Sequence, residues 1–212
     1  MLFGNPLNKA AAEIANASVR STAHFNWTFI TLFAIVVYIY FTEIKNKNYK
    51  NVVAGLALYS VHWFYEIINA LIGHAAGYAL WTVSPGSTSY ILLIGVSWEL
   101  SMMFLIAGLA MSKLLPEDPK LKILGVNNRI LFAIGNAAFF SIFEIFLAST
   151  PAFIWVYSWW GALPVFITTY IPFFLAAFLV PDLSAKKQKM FLGLAFGIDI
   201  LLLAILIPAG II

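Results

Sequence analysis

The sequence predicts an all-α integral membrane protein, a bundle of six membrane-spanning helices preceded by a short interfacial helix. Three observations support this fold class: 62% of the 212 residues are hydrophobic, only 10% are charged, and apolar runs alternate with short cationic loops. An ordinary soluble domain has roughly a quarter of its residues charged. Twelve Lys and Arg with nine Asp and Glu do not cover a soluble surface, so soluble folds are excluded. The absence of Cys also excludes disulfides and thiolate metal sites.

The chain divides into two predicted parts. Residues 1–24 form an N-terminal arm in which Ala10–Val19 has the pattern of an amphipathic helix at the membrane surface. Residues 25–212 form one transmembrane domain. Because roughly 20 helical residues cross a hydrocarbon core of about 30 Å, the apolar runs predict six spans: Phe25–Thr42, Val52–Gly73, Ser89–Met111, Ile130–Ala148, Ala152–Val180 and Met190–Ile211.

The fifth run is unusually long and contains Pro164 and Pro172. Proline interrupts the hydrogen bonding of a helix interior. The run is therefore either one tilted and kinked helix, which is the preferred interpretation, or a short interfacial piece followed by a span.

The distribution of cations predicts the orientation, because Lys and Arg are enriched in cytoplasmic loops. Two of the twelve, Lys9 and Arg20, lie on the N-terminal arm. Because the other ten lie after the first, third and fifth predicted spans, those loops are expected in the cytoplasm and both termini outside. On the outer side, Trp81, Trp155, Trp159 and Trp160 would form an aromatic belt. The other ten cations follow the first, third and fifth spans: Lys45, Lys47, Lys50, Lys113, Lys120, Lys122, Arg129, Lys186, Lys187 and Lys189.

Five ionisable residues fall within the predicted spans, where each costs several kcal/mol unless it faces a partner or a cavity. Counting from the middle of each span places all five within about one helical turn of depth. We expect them to share one buried site, in which four of them surround a cavity while Asp199 lies at the same depth. A structural alternative is that the imidazole and carboxyl groups one turn apart on the second span only lock helix packing. The five residues are His62, Glu66, Glu99, Glu144 and Asp199.

The composition of this set limits its chemistry. No Lys or Arg lies within a predicted span, so part of the carboxyl groups must be protonated. A mixture of neutral acids and ionised bases equips a site for general acid–base catalysis. It also equips a site for proton transport or for a metal with oxygen and imidazole ligands. No glycine motif for a dinucleotide or phosphate occurs, so no soluble cofactor is expected, and no basic aromatic patch indicates nucleic acid.

Seven further residues are candidates for substrate binding. On the second span, Tyr59 and Asn69 share the helical face of His62 and Glu66. The aromatic run 155–160 either belongs to the interfacial belt or forms a wall that stabilises positive charge on a lipophilic ligand. Thr168, followed by Thr169 and Tyr170, is placed at membrane depth where it would line the same cavity, and Asn136 either orients a partner or joins helices. The remaining candidates are Asn136, Tyr157, Trp159, Trp160 and Thr168.

Two resemblances bear on function. The pair His62-x-x-x-Glu66, with Glu99 on the next helix, resembles the small sterol-isomerase family related to the emopamil-binding protein. That resemblance implies that the three residues handle protons while an aromatic wall flanks a carbocation-like intermediate. Glu66 on an early span and Asp199 on a late span are similar to the acidic pair of the integral-membrane terpene cyclases of fungal meroterpenoid pathways. The isomerase pattern has five spans, and the fungal cyclases usually have one span more than the six predicted here.

The preferred interpretation is a membrane enzyme that isomerises or cyclises an isoprenoid or sterol-like lipid. Glu66, oriented by His62, would share the acid–base work with Glu99, while Glu144 and Asp199 complete the relay. The expected partners are membrane lipids and a lipophilic substrate, with a homo-oligomer or a larger membrane complex left open. Three alternatives remain: a proton-coupled small transporter or channel, a non-catalytic subunit of a membrane complex, and a metal-dependent oxidase with His62, Glu66, Glu99 and Glu144 as ligands.

Overall fold

The structure, a computed structural model, describes residues 9–212 and is mostly helical. The main helices are α1 (Lys9–Ala17), α2 (Thr28–Lys45), α3 (Tyr49–Ala76), α4 (Trp98–Ser112), α5 (Asn128–Ala148), α6 (Ala162–Val165), α7 (Ile171–Leu179) and α8 (Ala185–Leu206). A π-helical segment, Phe166–Tyr170, joins α6 to α7. The short strands are β1 (Trp81–Val83), β2 (Ile91–Leu93), β3 (Val96–Ser97), β4 (Lys122–Ile123), β5 (Val126–Asn127) and β6 (Phe153–Trp155).

Helix α1, Lys9–Ala17, overlaps the stretch Ala10–Val19 that is predicted to be an interfacial helix. It buries Ala12 and Ala15, and Ala15 packs with Ala70 of α3 and Ala79. The face of α1 with Ala12 and Ala15 is therefore covered by the protein itself, whereas Ile14 is 58% exposed. Residues 1–8 of the predicted arm lie outside the described residues.

Helix α3 lies at the centre of the bundle and packs against α2, α4, α7 and α8. Its closest crossing is with α4, where a Cβ at Gly108 would stand 2.7 Å from the carbonyl oxygen of Ala54 and 2.8 Å from Cβ of Leu58. Small residues permit such close helix packing. Helix α7 packs on both α3 and α4 and contributes Phe173, Phe174 and Phe178 to the core, all essentially inaccessible.

The prediction of a helical membrane protein is confirmed, but the prediction of six spans is wrong. Within residues 9–212, four helices are long and apolar enough to cross a membrane: Thr28–Lys45, Asn128–Ala148, Ala162–Asp182 and Ala185–Leu206. Helix α3 is long, but its buried polar face lowers its hydropathy. Helix α4 has only 15 residues, about 22 Å at a rise of 1.5 Å per residue. It is short because residues 91–97 of the predicted third span form the β2–β3 hairpin, and Ser97 caps α4 by accepting a hydrogen bond from the Leu100 N–H.

The preferred interpretation of the fifth run as one kinked helix is also wrong. Residues 153–155 form strand β6, and the helix begins only at Ala162. Pro164 is accommodated because the first N–H groups of a helix need no partner within it. Pro172 lies one residue after the π-helical segment. The wider π-helical turn tolerates the absence of the backbone hydrogen bond that proline cannot donate.

Ion pairs gather at one end of the bundle. Lys50 and Arg129 both pair with Asp182, at 3.2 and 2.7 Å, and Lys113 pairs with Glu43. We call this the cationic end, because ten of the twelve cations lie in the loops and helix ends that meet there.

The opposite end of the bundle holds the β1–β6 pair, and both ends of the described chain lie there. Arg20 donates a hydrogen bond at 2.9 Å to the carbonyl oxygen of Ile212. The prediction of an aromatic belt is wrong for three of its four residues, since Trp81, Trp155 and Trp160 are buried and only Trp159 is exposed, at 56%. Strand pairing and ring stacking draw these three indoles into the core.

Candidate functional site

Three of the five predicted ionisable residues line one cavity inside the bundle. His62 and Glu66 come from α3 and Glu144 from α5, and they are 1%, 3% and 6% exposed. The free volume is about 30 Å³, room for one or two water molecules. Most of the remaining wall is aromatic, with Trp81, Phe104, Phe140, Phe143, Tyr170 and Phe173.

Glu66 is held by the indole of Trp81. Trp81 Nε1–H donates to both oxygens of the Glu66 carboxyl group, with Nε1 3.3 Å from Oε1 and 3.2 Å from Oε2. Asn69, one turn further along α3, fixes that indole: its Nδ2 donates to the Trp81 carbonyl at 3.0 Å, and its Oδ1 accepts from the Leu80 N–H at 2.8 Å. Asn69 therefore positions Trp81.

Glu144 has a matching arrangement on the other side of the cavity. Trp155 Nε1 donates to Glu144 Oε1 at 2.7 Å, and the Tyr170 hydroxyl donates to Oε2 at 2.5 Å. Two donors on one carboxyl group suit its ionised form, because hydrogen bonds to a charged acceptor are stronger than those to a neutral one.

The two carboxyl groups are linked through the strands that follow their helices. Strands β1 and β6 pair antiparallel, with Trp81 directly opposite Trp155. Each indole thus reaches back from the strand pair to the carboxyl group of the preceding helix. One two-stranded ribbon therefore sets the positions of both acids.

His62 stands beside Glu66 without being tied to it. Its Nε2 lies 3.4 Å from Glu66 Oε1, yet neither ring nitrogen makes a hydrogen bond to any described residue. The ring stacks on Phe104, with centroids 4.2 Å apart. Because buried polar groups normally have partners, the imidazole is placed to bond a water molecule or a ligand in the cavity.

Glu99 and Asp199 do not line this cavity. Glu99 lies in the first turn of α4 and accepts hydrogen bonds from the Thr88 hydroxyl and from the backbone N–H (2.8 Å) and hydroxyl (2.5 Å) of Ser89. Asp199 is buried on α8, and its carboxyl oxygens have no partner among residues 9–212. Depth along each helix was predicted from the sequence, but the direction of these side chains around the helix axis was not.

The seven predicted substrate-binding residues fall into three groups according to what they contact, and none of them lines the cavity. Trp160 does not line the cavity but stacks on Trp81, which does, with ring centroids 5.7 Å apart. Asn69 likewise bonds Trp81 without lining the cavity. Tyr59 bonds the Ser101 hydroxyl at 2.8 Å. The others lie away from the cavity: Asn136 and Thr168 each donate to a carbonyl of their own helix, Tyr157 donates to the Tyr78 carbonyl, and Trp159 is exposed.

Sequence reasoning missed that Trp81 and Trp155 donate to the two acids, and of the three residues 168–170 that it placed near one cavity, Thr168 does not line it. Thr169 and Tyr170 face the cavity from the π-helical segment, which changes the direction of successive side chains. The sequence holds a signal for the indoles, because Trp81 follows Glu66 by 15 residues and Trp155 follows Glu144 by 11 residues. Among the residues that the structure describes, no three His, Asp or Glu side chains are grouped closely enough to hold a metal ion.

Comparisons with known proteins match nearly the whole chain. Residues 9–208 match an uncharacterized membrane protein family. The chain belongs to this family. A relative from Archaeoglobus fulgidus, described as an uncharacterized protein, is 46% identical over 191 residues, which cover 89% of this chain and 90% of the relative. No solved structure matches the chain.

Gly95, at the turn of the β2–β3 hairpin, gives a first test of this geometry. A Cβ there would stand 2.6 Å from Oε2 of Glu66 and would also collide with Asn69 and Trp81. We expect Gly95→Ala to destabilise the protein by about 1–3 kcal/mol, the usual cost of overpacking, measured as thermal unfolding in detergent. Gly86→Ala is the matched control, because a Cβ at Gly86 meets no atom within 4 Å. Equal stability of the two variants would contradict the packing described here.

Proposed function

We propose that this protein is an integral-membrane enzyme that isomerises or cyclises a lipophilic substrate, isoprenoid or sterol-like, by proton transfer. The observation that carries the proposal is the convergence of Glu66, Glu144 and His62 on one buried aromatic cavity. Two carboxyl groups in different hydrogen-bonding environments supply an acid and a base in the same site. The resemblance of His62-x-x-x-Glu66 to the sterol-isomerase pattern supports the same chemistry.

The proposed reaction is neutral in redox terms. One carboxylic acid gives its proton to a carbon–carbon double bond, forming a C–H bond and leaving a carbocation. The other carboxylate then takes a proton from a neighbouring carbon, so that a new double bond forms either directly or after ring closure. Glu66, beside the unpartnered His62 imidazole, is assigned as the acid. Glu144, which accepts two hydrogen bonds, is assigned as the base.

The aromatic wall would stabilise the carbocation between these two steps. Phe104, Phe140 and Tyr170 line the cavity with Trp81. The faces of aromatic rings attract positive charge, with about 0.5–2 kcal/mol per ring. The site therefore combines proton transfer with electrostatic stabilisation of the intermediate.

Access for the substrate is proposed from the bilayer, between α4 and α5. These two helices make few contacts with each other, although α7 packs against both. The lining on this side consists of Leu100 and Met103 of α4 and Phe143 and Leu147 of α5, and Phe143 is exposed. Because the cavity has room only for water as it stands, a substrate would enter by moving these side chains apart.

The phenylalanines of α7 favour an enzyme over a proton-coupled transporter. Phe173 lines the cavity, Phe178 lines a polar pocket at the cationic end, and Phe174 is fully buried next to Phe173. A transporter or channel needs a wet path between the two sides. This buried apolar layer lies between the carboxyl groups and the cationic end and offers no polar side chain to carry such a path.

Solvent deuterium tests the proposal. Purified protein in detergent or liposomes would be incubated in D₂O with prenyl lipids or sterols, and the lipids analysed by mass spectrometry. We expect an isomer or a ring product that carries one deuterium on carbon, because the first proton comes from a carboxyl group that exchanges with solvent. Proton flux across liposomes without conversion of any lipid would instead support the transporter interpretation.

For orientation, we propose that the cationic end faces the cytoplasm and that both termini lie outside. The test uses single cysteines, for which the chain provides a background without Cys. Lys47→Cys, Lys120→Cys and Lys187→Cys are expected to resist an impermeant thiol reagent in intact cells, while Ser87→Cys at the opposite end is labelled. Labelling of the first three and protection of the fourth would reverse the orientation.

A further inference from the structure

A second polar pocket lies at the cationic end, away from the proposed catalytic cavity. Its lining includes Lys50 of α3, Lys113 at the end of α4 and Arg129 of α5, with a volume of about 380 Å³. The carboxylates around these cations are Glu43, Asp182 and Glu117. The end as a whole stays basic, because ten cations and four carboxylates lie there.

Arg129 is the built feature of this pocket. Its residue is 5% exposed, and its Nε donates to Asp182 at 2.7 Å while its Nη1 donates to the Pro116 carbonyl and the Asn128 side chain at 2.8 and 2.7 Å. Its Nη2 makes no hydrogen bond to any described residue. An arginine fixed in this way presents one free nitrogen, the Nη2 group with its two N–H donors, to a phosphate oxygen.

The two pockets are built from the same four helices. Helices α3, α4, α5 and α7 each contribute residues to both linings. Between the pockets, half-buried Met111 of α4 and Phe132 of α5 pack on the phenylalanine core. From Arg129 to Glu144 the path along α5 is about 22 Å at 1.5 Å per residue. An apolar strip between α4 and α5 thus joins a cationic pocket at one end to the acid–base cavity at the other.

We propose that the ligand is a prenyl lipid with a phosphate or diphosphate head group. The head group lies at Arg129, Lys50 and Lys113, and the chain follows the strip between α4 and α5 so that a distal double bond reaches Glu66 and Glu144. This assignment of the substrate class rests on the proposed function for its chemical step. That step adds a proton to the distal double bond and removes another from carbon, so the phosphate is retained in the product.

The test compares three probes for binding to the purified protein in detergent by native mass spectrometry: geranylgeranyl phosphate, geranylgeraniol and inorganic phosphate. We expect the lipid phosphate to bind at least about tenfold more tightly than the alcohol, since a basic residue near a membrane surface contributes about fivefold in affinity for an anionic lipid. Inorganic phosphate competes only weakly, because it lacks the chain. Equal competition by inorganic phosphate would identify a soluble anion site and overturn the lipid assignment.

Variants separate the head-group site from general basicity. Lys50→Gln and Lys113→Gln should each weaken binding of geranylgeranyl phosphate about fivefold and leave binding of geranylgeraniol unchanged. Lys187→Gln is the matched control, because Lys187 lies at the same end but does not line the pocket. Equal losses in all three variants would overturn the proposal.

Failure of this inference and failure of the proposed function remain distinguishable. Glu66→Gln should bind geranylgeranyl phosphate as the wild type does while losing its conversion. Conversion of geranylgeraniol as fast as its phosphate, with no effect of Lys50→Gln or Lys113→Gln, would overturn the head-group assignment and leave the acid–base enzyme standing. Tight, lysine-dependent binding without conversion of any prenyl lipid would do the reverse.

Discussion

Replacement of Glu66 by Gln is expected to lower the conversion of a lipid substrate by about 10²- to 10⁴-fold, the usual cost of removing a general acid or base. Gln keeps the size of the side chain and can still accept the hydrogen bond from the Trp81 indole. The fold should therefore tolerate the change. The measurement pairs initial rates of conversion with thermal unfolding in detergent for the variant and the wild type.

Glu99→Gln is the informative comparison for this prediction. The chemical change is the same, but Glu99 is bonded to Thr88 and Ser89 and does not line the cavity. From the cavity geometry, we expect Glu99→Gln to retain most of the conversion. The resemblance to the sterol isomerases instead predicts that Glu99→Gln loses conversion as Glu66→Gln does. Equal loss in both variants would place Glu99 in the chemistry, and a marked loss of stability in Glu66→Gln would indicate a structural role for Glu66.

The second large effect concerns stability at the cationic end. Arg129 is buried and pairs with Asp182 at 2.7 Å. We expect Asp182→Leu to destabilise the protein by about 3 kcal/mol, because it leaves a buried guanidinium without its counterion. The measurement is the loss of thermal stability in detergent relative to the wild type.

The control for this prediction removes the other cation from the same carboxylate. Lys50 pairs with Asp182 at 3.2 Å, but its side chain is 68% exposed. Exposed ion pairs contribute little because water screens them. Lys50→Met should therefore change the stability far less than Asp182→Leu. If the two variants were equally destabilised, burial of Arg129 would not explain the effect.

Some of the site could be predicted because it depends only on position along single helices. Glu66 and Glu144 interrupt apolar runs, and a carboxyl group within such a run is retained where it faces a cavity or a partner. The spacing of four from His62 to Glu66 fixes both side chains on one face of any helix that contains them. The structure accordingly brings these three residues to one cavity.

Other parts depended on how elements turn and pair. Asp199 lies on a long apolar helix much as Glu144 does, yet it faces a different part of the bundle. The sequence gives no measure of how each helix is rotated about its axis relative to its neighbours. The pairing of Trp81 with Trp155 joins positions 74 residues apart, and no local propensity specifies such a contact.

The sequence by itself determined that this protein lies in a membrane, that its cations gather at one end, and that carboxyl groups interrupt its apolar segments. These follow from composition and from the cost of placing charge in hydrocarbon. Only the tertiary structure decided that four helices of the described part of the chain meet the length and apolarity of a span, that residues 91–97 form a hairpin, and that two indoles from one strand pair hold the two acids. The physical reason is that apolarity is a property of each segment, whereas hydrogen-bond partners and helix rotation are settled between segments.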